Sequence, residues 1–313
     1  MPTFIGHLLP GAIFFLFGLY YAKLVSLALL RGQRLLFLPS PPKSQGSWLQ
    51  RLPAEGALKV ISCTTGILGE FFYPPGDNRL ALLNWDDPTR PFLYHNSWQH
   101  VTMYGFFLAS GLVDLVSQTW LARRWLKLEQ AALALAFHVL LLLLLSHSQG
   151  KGVLETRVHT LLLLPVFLLA LVLTIEQWAP DQPQLWVAKT WMLLVLGSWM
   201  LQIGVVMYHP PTGRPWHGEN PADLMFLTTF FCWHLALNAT FLAAVYGLFT
   251  LWNRRYPTWA AGRGDGYQVC PLGTSSEELQ KLKGETSPTH WCIPTGQNLG
   301  IVDLLPSNEG GCP

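Results

Sequence analysis

The sequence predicts an all-α polytopic membrane protein, a bundle of seven transmembrane helices. Half of its 313 residues are hydrophobic and only 12% are charged, whereas a soluble domain carries about 25% charged residues. The apolar residues are gathered in long runs, and seven of these runs approach the ~20 residues that a helix needs to cross a bilayer. Composition and run length together favour a protein embedded in lipid.

Seven candidate spans follow one another along the chain. Their predicted limits are 8–30, 57–73, 98–121, 129–146, 158–178, 185–208 and 224–252. The first run is too long for a cleaved signal peptide and has no basic residue before it. The second is the shortest and weakest and contains Glu70, whereas the fourth includes six consecutive leucines at positions 140–145.

Helix is the conformation expected for every span, because a backbone in lipid must satisfy its own amide groups and the runs are too long for barrel strands. Trp98 and Trp252, near span ends, match an interfacial aromatic belt. Pro165 is expected to kink the fifth helix. Small residues such as Gly111 and Gly197 are expected to allow close contact between helices.

The distribution of basic residues predicts the orientation, because Lys and Arg accumulate in cytoplasmic loops. The side opposite the N-terminus carries Arg31, Arg34, Lys43, Arg51, Lys59, Arg123, Arg124, Lys127, Arg254 and Arg255. The N-terminal side carries Arg79, Arg90, Lys151, Arg157 and Arg214. We therefore expect an extracytoplasmic N-terminus and a cytoplasmic C-terminus, in the plasma membrane or in secretory or endosomal membranes.

Two regions are predicted, a seven-helix transmembrane domain (residues 1–252) and a cytoplasmic tail (residues 253–313). The tail is rich in Gly, Pro, Ser and Thr without apolar periodicity, so we expect it to be disordered and to be a place where protein partners bind. A net charge of +2 does not indicate the basic face of a nucleic-acid-binding protein. The five cysteines, without a Cys-x-x-Cys motif, exclude a disulfide-stapled ectodomain and a zinc finger.

Polar side chains concentrate at the N-terminal side of the predicted bundle. Ionisable residues inside spans are costly and are functional hypotheses by default. The set is His7, Glu70, His100, His147, His159, Gln202 and His234. His234 is the deepest, ~15 Å from the start of its helix at 1.5 Å per residue. The sequence predicts a shared polar site, against the alternative that each histidine lies alone at the interface with one hydrogen bond.

Three chemistries fit such a site. The five histidines suit zinc or another divalent metal as ligands, with Glu70 as the general base of a hydrolase. Two facing histidines suit haem. A row of histidine and carboxylate groups suits a proton relay. The sequence contains no HExxH motif, so all three readings stay open.

Further polar residues are expected to support the bundle or the site. Asp114 lies ~21 Å further along the helix than His100, where pairing with a cation or a neighbouring helix is expected. Glu129 and Glu176 fall at span ends and are interpreted as interfacial charges.

Two residues lie one helical turn from members of the polar set, Asn238 from His234 and Ser198 from Gln202. These spacings predict polar partners that orient the site or hydrogen bonds between helices.

Several long strings resemble the transmembrane protein 45 family. They are GHLLPG at 6–11, TGILGEFF at 65–72, WQHVTMYGFFLASGLVD at 98–114, WMLQIG at 199–204 and LMFLTTFFCWH at 224–234. The resemblance covers roughly residues 1–252 and is greatest to the transmembrane epididymal proteins of that group. It implies a multi-pass membrane protein with no established biochemical activity.

The resemblance also extends to particular positions. Those carried over are His7, Glu70, His100, Asp114, Gln202 and His234. Family members often have a His-x-His pair on each side of the loop between the fourth and fifth helices, whereas this chain has one histidine on each side, His147 and His159. The loss of two histidines argues against a site for several metal ions. The positive charge of Arg157 nearby would also repel a metal cation.

Three functions therefore remain as hypotheses. The first is a non-enzymatic membrane protein, a scaffold or trafficking factor of the secretory system or plasma membrane. The second is a metal-dependent membrane hydrolase that uses the histidine and glutamate residues. The third is a proton-coupled transporter or a haem redox protein.

Overall fold

Within the residues that the structure describes, the apolar runs fold into seven helices. The computed structural model describes residues 4–32, 53–121, 123–210, 213–216 and 218–256. In chain order the helices are α1 (Phe4–Arg31), α2 (Ala54–Phe72), α3 (His95–Thr119), α4 (Leu126–His147), α5 (Val153–Glu176), α6 (Pro183–Tyr208) and α7 (Pro221–Arg255). The all-α fold agrees with the prediction, and nearly all of the predicted tail lies outside the described residues.

Each helix begins a few residues before the predicted span. Hydropathy marks only the lipid-facing part, whereas the first turn extends into polar sequence. α6 and α7 begin at Pro183 and Pro221, and proline suits the first turn because its fixed φ matches a helix and the amide hydrogen it lacks has no helical partner there. α7 ends at Arg255 rather than at residue 252, and α5 continues through Pro165.

Six of the described helices are long and apolar enough to cross a membrane, and α2 is the exception. α2 has 19 residues and carries Glu55, Lys59 and Glu70, which lower its hydropathy. Lys59 and Glu70 are buried inside the bundle; Lys59 is ion-paired with Asp114 and Glu70 is hydrogen-bonded to His100. The chain is an integral membrane protein, and α2 fits a seven-helix bundle because its charges face protein rather than lipid.

The helices from α1 to α6 surround a central space. Successive helices pack against each other from α2 to α6, and α1 packs most extensively along α6. α7 lies outside this ring and contacts α1, α5 and α6. In the described parts of the chain, α1 and α2 are packed much less closely than these neighbours. The seam between α1 and α2 is therefore the loosest part of the ring.

Glycine allows close contact between helices at two positions predicted from the sequence. A Cβ atom added at Gly197 of α6 would collide with the backbone of Phe15 in α1. A Cβ added at Gly111 of α3 would lie 2.8 Å from the Cβ of Lys59 in α2, which is too close for two carbon atoms. These contacts confirm the predicted role of small residues in close helix packing.

The structure corrects the interpretation of three charged residues. Lys59 was counted as a loop charge, but it lies inside α2, is buried and bonds to Glu55 and Asp114. Glu129 and Glu176 were interpreted as interfacial charges, but both are buried. Arg124 donates hydrogen bonds to Glu129 and Lys189 donates to Glu176. Because Lys59 is not a loop residue, the excess of loop Lys and Arg on the side opposite the N-terminus is smaller than the sequence count suggests.

Candidate functional site

Four of the predicted histidines and Glu70 meet at the N-terminal side of the bundle. We call His7, Glu70, His100, His147 and His159 the histidine cluster. Oε1 of Glu70 lies 2.9 Å from Nδ1 of His100. Ring centroids are 4.7 Å apart for His100 and His147, 5.5 Å for His147 and His159, and 5.8 Å for His159 and His7. The predicted topology thus brings residues of five helices into one continuous row.

Hydrogen bonds orient three of these rings. Nδ1 of His100 bonds to Glu70, Nδ1 of His147 lies 3.0 Å from Oε1 of Gln99, and Nδ1 of His159 lies 2.7 Å from the backbone oxygen of Glu155. Since all three partners are acceptors, Nδ1 carries the proton in each ring. In a neutral imidazole, Nε2 is then the hydrogen-bond acceptor, so His147 and His159 present acceptor nitrogens at the lining of the cavity described below.

A buried hydroxyl without a partner lies beside the cluster. The Tyr208 ring centroid is 5.8 Å from that of His7, and the Tyr208 hydroxyl has no hydrogen-bond partner among the described residues. A buried polar group left unpaired costs about 1–3 kcal/mol. A polar group of a bound molecule placed here would recover that cost.

His234 does not join the cluster. It lies on α7, outside the ring of helices, where its Nδ1 is 2.9 Å from Oγ of Ser198 and its ring contacts Trp199. Asn238 donates to the same Ser198 oxygen at 2.9 Å. Of the two alternatives predicted for Asn238 and Ser198, the structure shows hydrogen bonds between helices, here a polar contact between α6 and α7. Gln202 lies one turn beyond Ser198 on α6.

The arrangement of the cluster gives no support to the hypotheses of a divalent-metal site or a haem site. Within the described parts of the chain, no three His, Cys, Asp or Glu side chains are arranged to hold a metal ion. The rings of His100 and His147 pack directly on each other, which leaves no room for a haem plane between these two. The role of the five predicted histidine ligands and of Glu70 as a general base stays a prediction.

An apolar cavity of about 150 Å³ begins at the histidine cluster and runs through the ring of helices. Its middle is lined by Phe14, Phe107 and Phe137 from α1, α3 and α4, which pack edge-on or tilted with centroids 5.1–6.0 Å apart. Its lining on α1 extends from His7 to Tyr21, fourteen residues or ~21 Å along a helix. The cavity thus reaches most of the way across the hydrocarbon core, which is about 30 Å thick.

Tyr21, Glu55, Lys59 and Lys189 line the opposite end of the cavity, and the two lysines pair with Asp114 and Glu176, which do not line it. We call Tyr21, Glu55, Lys59, Asp114, Glu176 and Lys189 the ion-pair cluster. Nζ of Lys59 lies 2.7 Å from Glu55 and 2.8 Å from Asp114, and Nζ of Lys189 lies 2.6 Å from Glu176. Tyr21 donates to the Glu55 carboxylate at 3.0 Å. Asp114 therefore has the cationic partner that its position predicts.

Most of the ion-pair cluster is missing from the sequence-based site. Lys189, Glu55 and Tyr21 lie in or beside predicted spans and were not considered, and Lys59 was assigned to a loop. One signal was available, since Glu55 and Lys59 are four residues apart, a spacing that places them on one helix face. Gln99, which orients His147, gave no comparable signal.

Comparison with known proteins identifies the family. Transmembrane epididymal protein 1 of Rattus norvegicus is 39% identical over 288 residues, which cover 90% of this chain and 93% of that protein. Transmembrane epididymal protein 1A of Mus musculus is 38% identical over the same shares. The chain belongs to the transmembrane epididymal protein family.

Two further comparisons agree with this family. Transmembrane epididymal protein 1 of Homo sapiens is 39% identical over 226 residues, which cover 72% of this chain and 81% of that protein. A family model described as "Family of unknown function (DUF716)" matches residues 126–247, which include α4, α5, α6 and most of α7. This chain is thus a multi-pass membrane protein, as the sequence resemblance implies.

Proposed function

We propose that this protein is a non-enzymatic membrane protein that binds a single-chain amphiphile from the bilayer in its central cavity. Such binding suits a scaffold or trafficking factor of the plasma membrane or secretory system, with the histidine cluster on the extracytoplasmic side. The observation that carries the proposal is the cavity itself, which is apolar along its length and polar at both ends.

The cavity has the length of one lipid chain. A chain in one leaflet spans half of the hydrocarbon core, or ~15 Å, and the cavity lining on α1 extends for ~21 Å. The remaining length accommodates a polar head group at one end. An apolar cavity of about 150 Å³ takes up a benzene-sized guest, so a full lipid chain requires side chains of the lining to move apart.

The loose seam between α1 and α2 supports entry from the membrane. A hydrogen bond from Tyr21 to Glu55 joins the two helices at the end that holds the ion-pair cluster. Towards the other end, α2 exposes Ile61 and Leu68 on its outer surface. A chain moving through this seam would stay in apolar surroundings throughout, so it would pay little desolvation cost.

The polar ends support binding rather than conduction. A proton path across the membrane requires a continuous series of polar groups, whereas here Phe14, Phe107 and Phe137 lie between the two clusters. The Nε2 atoms of His147 and His159, which line the cavity, suit a hydroxyl or another hydrogen-bond donor of the bound molecule.

Native mass spectrometry of the purified full chain with hexadecanol tests the proposal. We expect one hexadecanol per chain. The variant Leu169→Trp fills the cavity, since Leu169 lines it and is buried, and should lose the adduct. Leu164→Trp is the matched control, because Leu164 lies on the same helix but is exposed towards lipid.

Folding of each variant is checked by its melting temperature. If Leu169→Trp does not fold, Val166→Phe takes its place in the test. It adds less volume at another buried position of the lining and should also weaken the adduct. Wild type without an adduct, or equal adducts in the cavity and control variants, would contradict the proposal.

A further inference from the structure

One end of the cavity is lined by histidines without a carboxylate or an ammonium group. We call this end, lined by His7, His100, His147 and His159, the histidine end. Glu70 is hydrogen-bonded to His100 but does not line the cavity. Within the described residues, the carboxylate and ammonium groups of the lining all belong to the ion-pair cluster at the other end.

Two rings of the histidine end have an acceptor nitrogen that the protein leaves unfilled. Nδ1 of His147 donates to Oε1 of Gln99, and the amide nitrogen of Gln99 donates to Ser146. Nδ1 of His159 donates to the backbone oxygen of Glu155. Nε2 is therefore the acceptor in both neutral rings, and neither Nε2 accepts a hydrogen bond from the described residues. Both side chains are buried, and a buried acceptor without a partner is costly.

The polar groups at the other end of the cavity are already bonded to one another. Both ammonium groups of the ion-pair cluster are held by carboxylates, and the Tyr21 hydroxyl donates to Glu55. A polar head group therefore has more to gain at the histidine end, where it can fill the acceptors of His147 and His159.

These acceptors select the chemistry of the head group. A hydrogen-bond donor can fill Nε2, whereas an ether oxygen cannot. A carboxylate would place its own lone pairs against these nitrogens. An ammonium group would be a buried charge with no carboxylate in the lining at this end, which is strongly destabilising. An uncharged donor such as a hydroxyl fits best.

Two donors are needed to fill both acceptors. The ring centroids of His147 and His159 are 5.5 Å apart, so one head group can reach both rings. A single hydroxyl has one proton to donate and can fill one acceptor.

We propose that the histidine end binds the diol head of a single-chain glycerol lipid, with His147 and His159 as the acceptors of its two hydroxyl protons. The chain of the lipid then extends along the phenylalanine-lined middle of the cavity towards the ion-pair cluster. This inference rests on the proposed function, since it assigns the head group of the molecule that the cavity holds.

A series of ligands tests this assignment in native mass spectrometry of the full chain. The ligands 1-O-hexadecylglycerol, hexadecanol and 1-methoxyhexadecane share one chain length and have two hydroxyls, one hydroxyl and none. Wild type is expected to bind hexadecylglycerol about fivefold more tightly than hexadecanol, and hexadecanol about fivefold more tightly than the methyl ether, as expected for one neutral hydrogen bond at each step.

The double variant His147→Phe, His159→Phe removes both acceptors and should bind the three ligands equally. His138→Phe is the matched control, because His138 lies on the same helix as His147 but is exposed and does not line the cavity. This control should keep the order of the three ligands. If the double variant does not fold, His159→Phe alone leaves one acceptor and should bind hexadecylglycerol no more tightly than hexadecanol.

The possible outcomes separate the two proposals. Equal binding of the three ligands by wild type, or tightest binding of the methyl ether, would overturn the head-group assignment alone. An unchanged order in the histidine variants would do the same, and the order in wild type decides if neither variant folds. Binding of none of the three would overturn the proposed function as well.

Discussion

Lys59 of α2 and Asp114 of α3 form a buried ion pair, with 2.8 Å between Nζ and Oδ2. The pair lies on the side of the bundle opposite the histidine cluster. It explains how α2 fits into a membrane bundle although it carries three charged residues. Glu55, one turn before Lys59, shares the same ammonium group, so a single lysine holds two carboxylates of neighbouring helices.

Removal of the Lys59 charge should strongly destabilise the bundle. Lys59→Met leaves Glu55 and Asp114 without their cation, and breaking a buried ion pair costs about 3–5 kcal/mol. The double variant Lys59→Met, Asp114→Leu should recover part of the loss, because it removes one of the two stranded carboxylates. The measurement is the melting temperature in detergent, with Lys127→Met at an exposed position as control. A Lys59→Met protein with the same melting temperature as wild type would refute the role of this pair.

The contact between α1 and α6 should depend on the absence of a side chain at Gly197. Alanine normally stabilises a helix interior by up to about 1 kcal/mol relative to glycine. Gly197→Ala should nevertheless destabilise the protein, because its Cβ collides with the Phe15 backbone and overpacking costs about 1–3 kcal/mol. Gly247→Ala on α7, with no atom within 4 Å of an added Cβ, should be neutral or stabilising. Equal melting temperatures of the two variants would argue against the close contact.

The orientation of the bundle can be read from glycosylation. Asp86→Thr creates the sequence Asn84-Trp85-Thr in the segment between α2 and α3, and N-x-Thr is a glycan acceptor in the secretory pathway. If the N-terminal side is extracytoplasmic, the variant should gain a glycan that a glycosidase removes. Asn84→Gln in the same background should abolish the glycan. A glycan gained instead by Gly300→Thr, which creates an acceptor at Asn298 in the tail, would mean the opposite orientation.

Long apolar runs in the sequence were sufficient to predict the helices, although α2 is less apolar than the other six described helices. The parity of the spans was sufficient to predict that His7, His100, His147 and His159 meet. The separate position of His234 was not predictable, because it depends on α7 packing outside the ring, and a single helix does not reveal which neighbours it contacts. The buried state of Lys59 was missed for a similar reason, since its partner Asp114 is distant in sequence.

The central claim is that an amphiphile occupies the space between the histidine cluster and the ion-pair cluster. Photocrosslinking in membranes tests it most directly, with hexadecanol that carries a diazirine on its chain and with peptide mass spectrometry to locate the modified residues. The account predicts modification of Leu140 and Leu169, which line the cavity, and competition by unlabelled hexadecanol. Modification confined to Leu142 and Leu164, which face outwards on the same two helices, would contradict it.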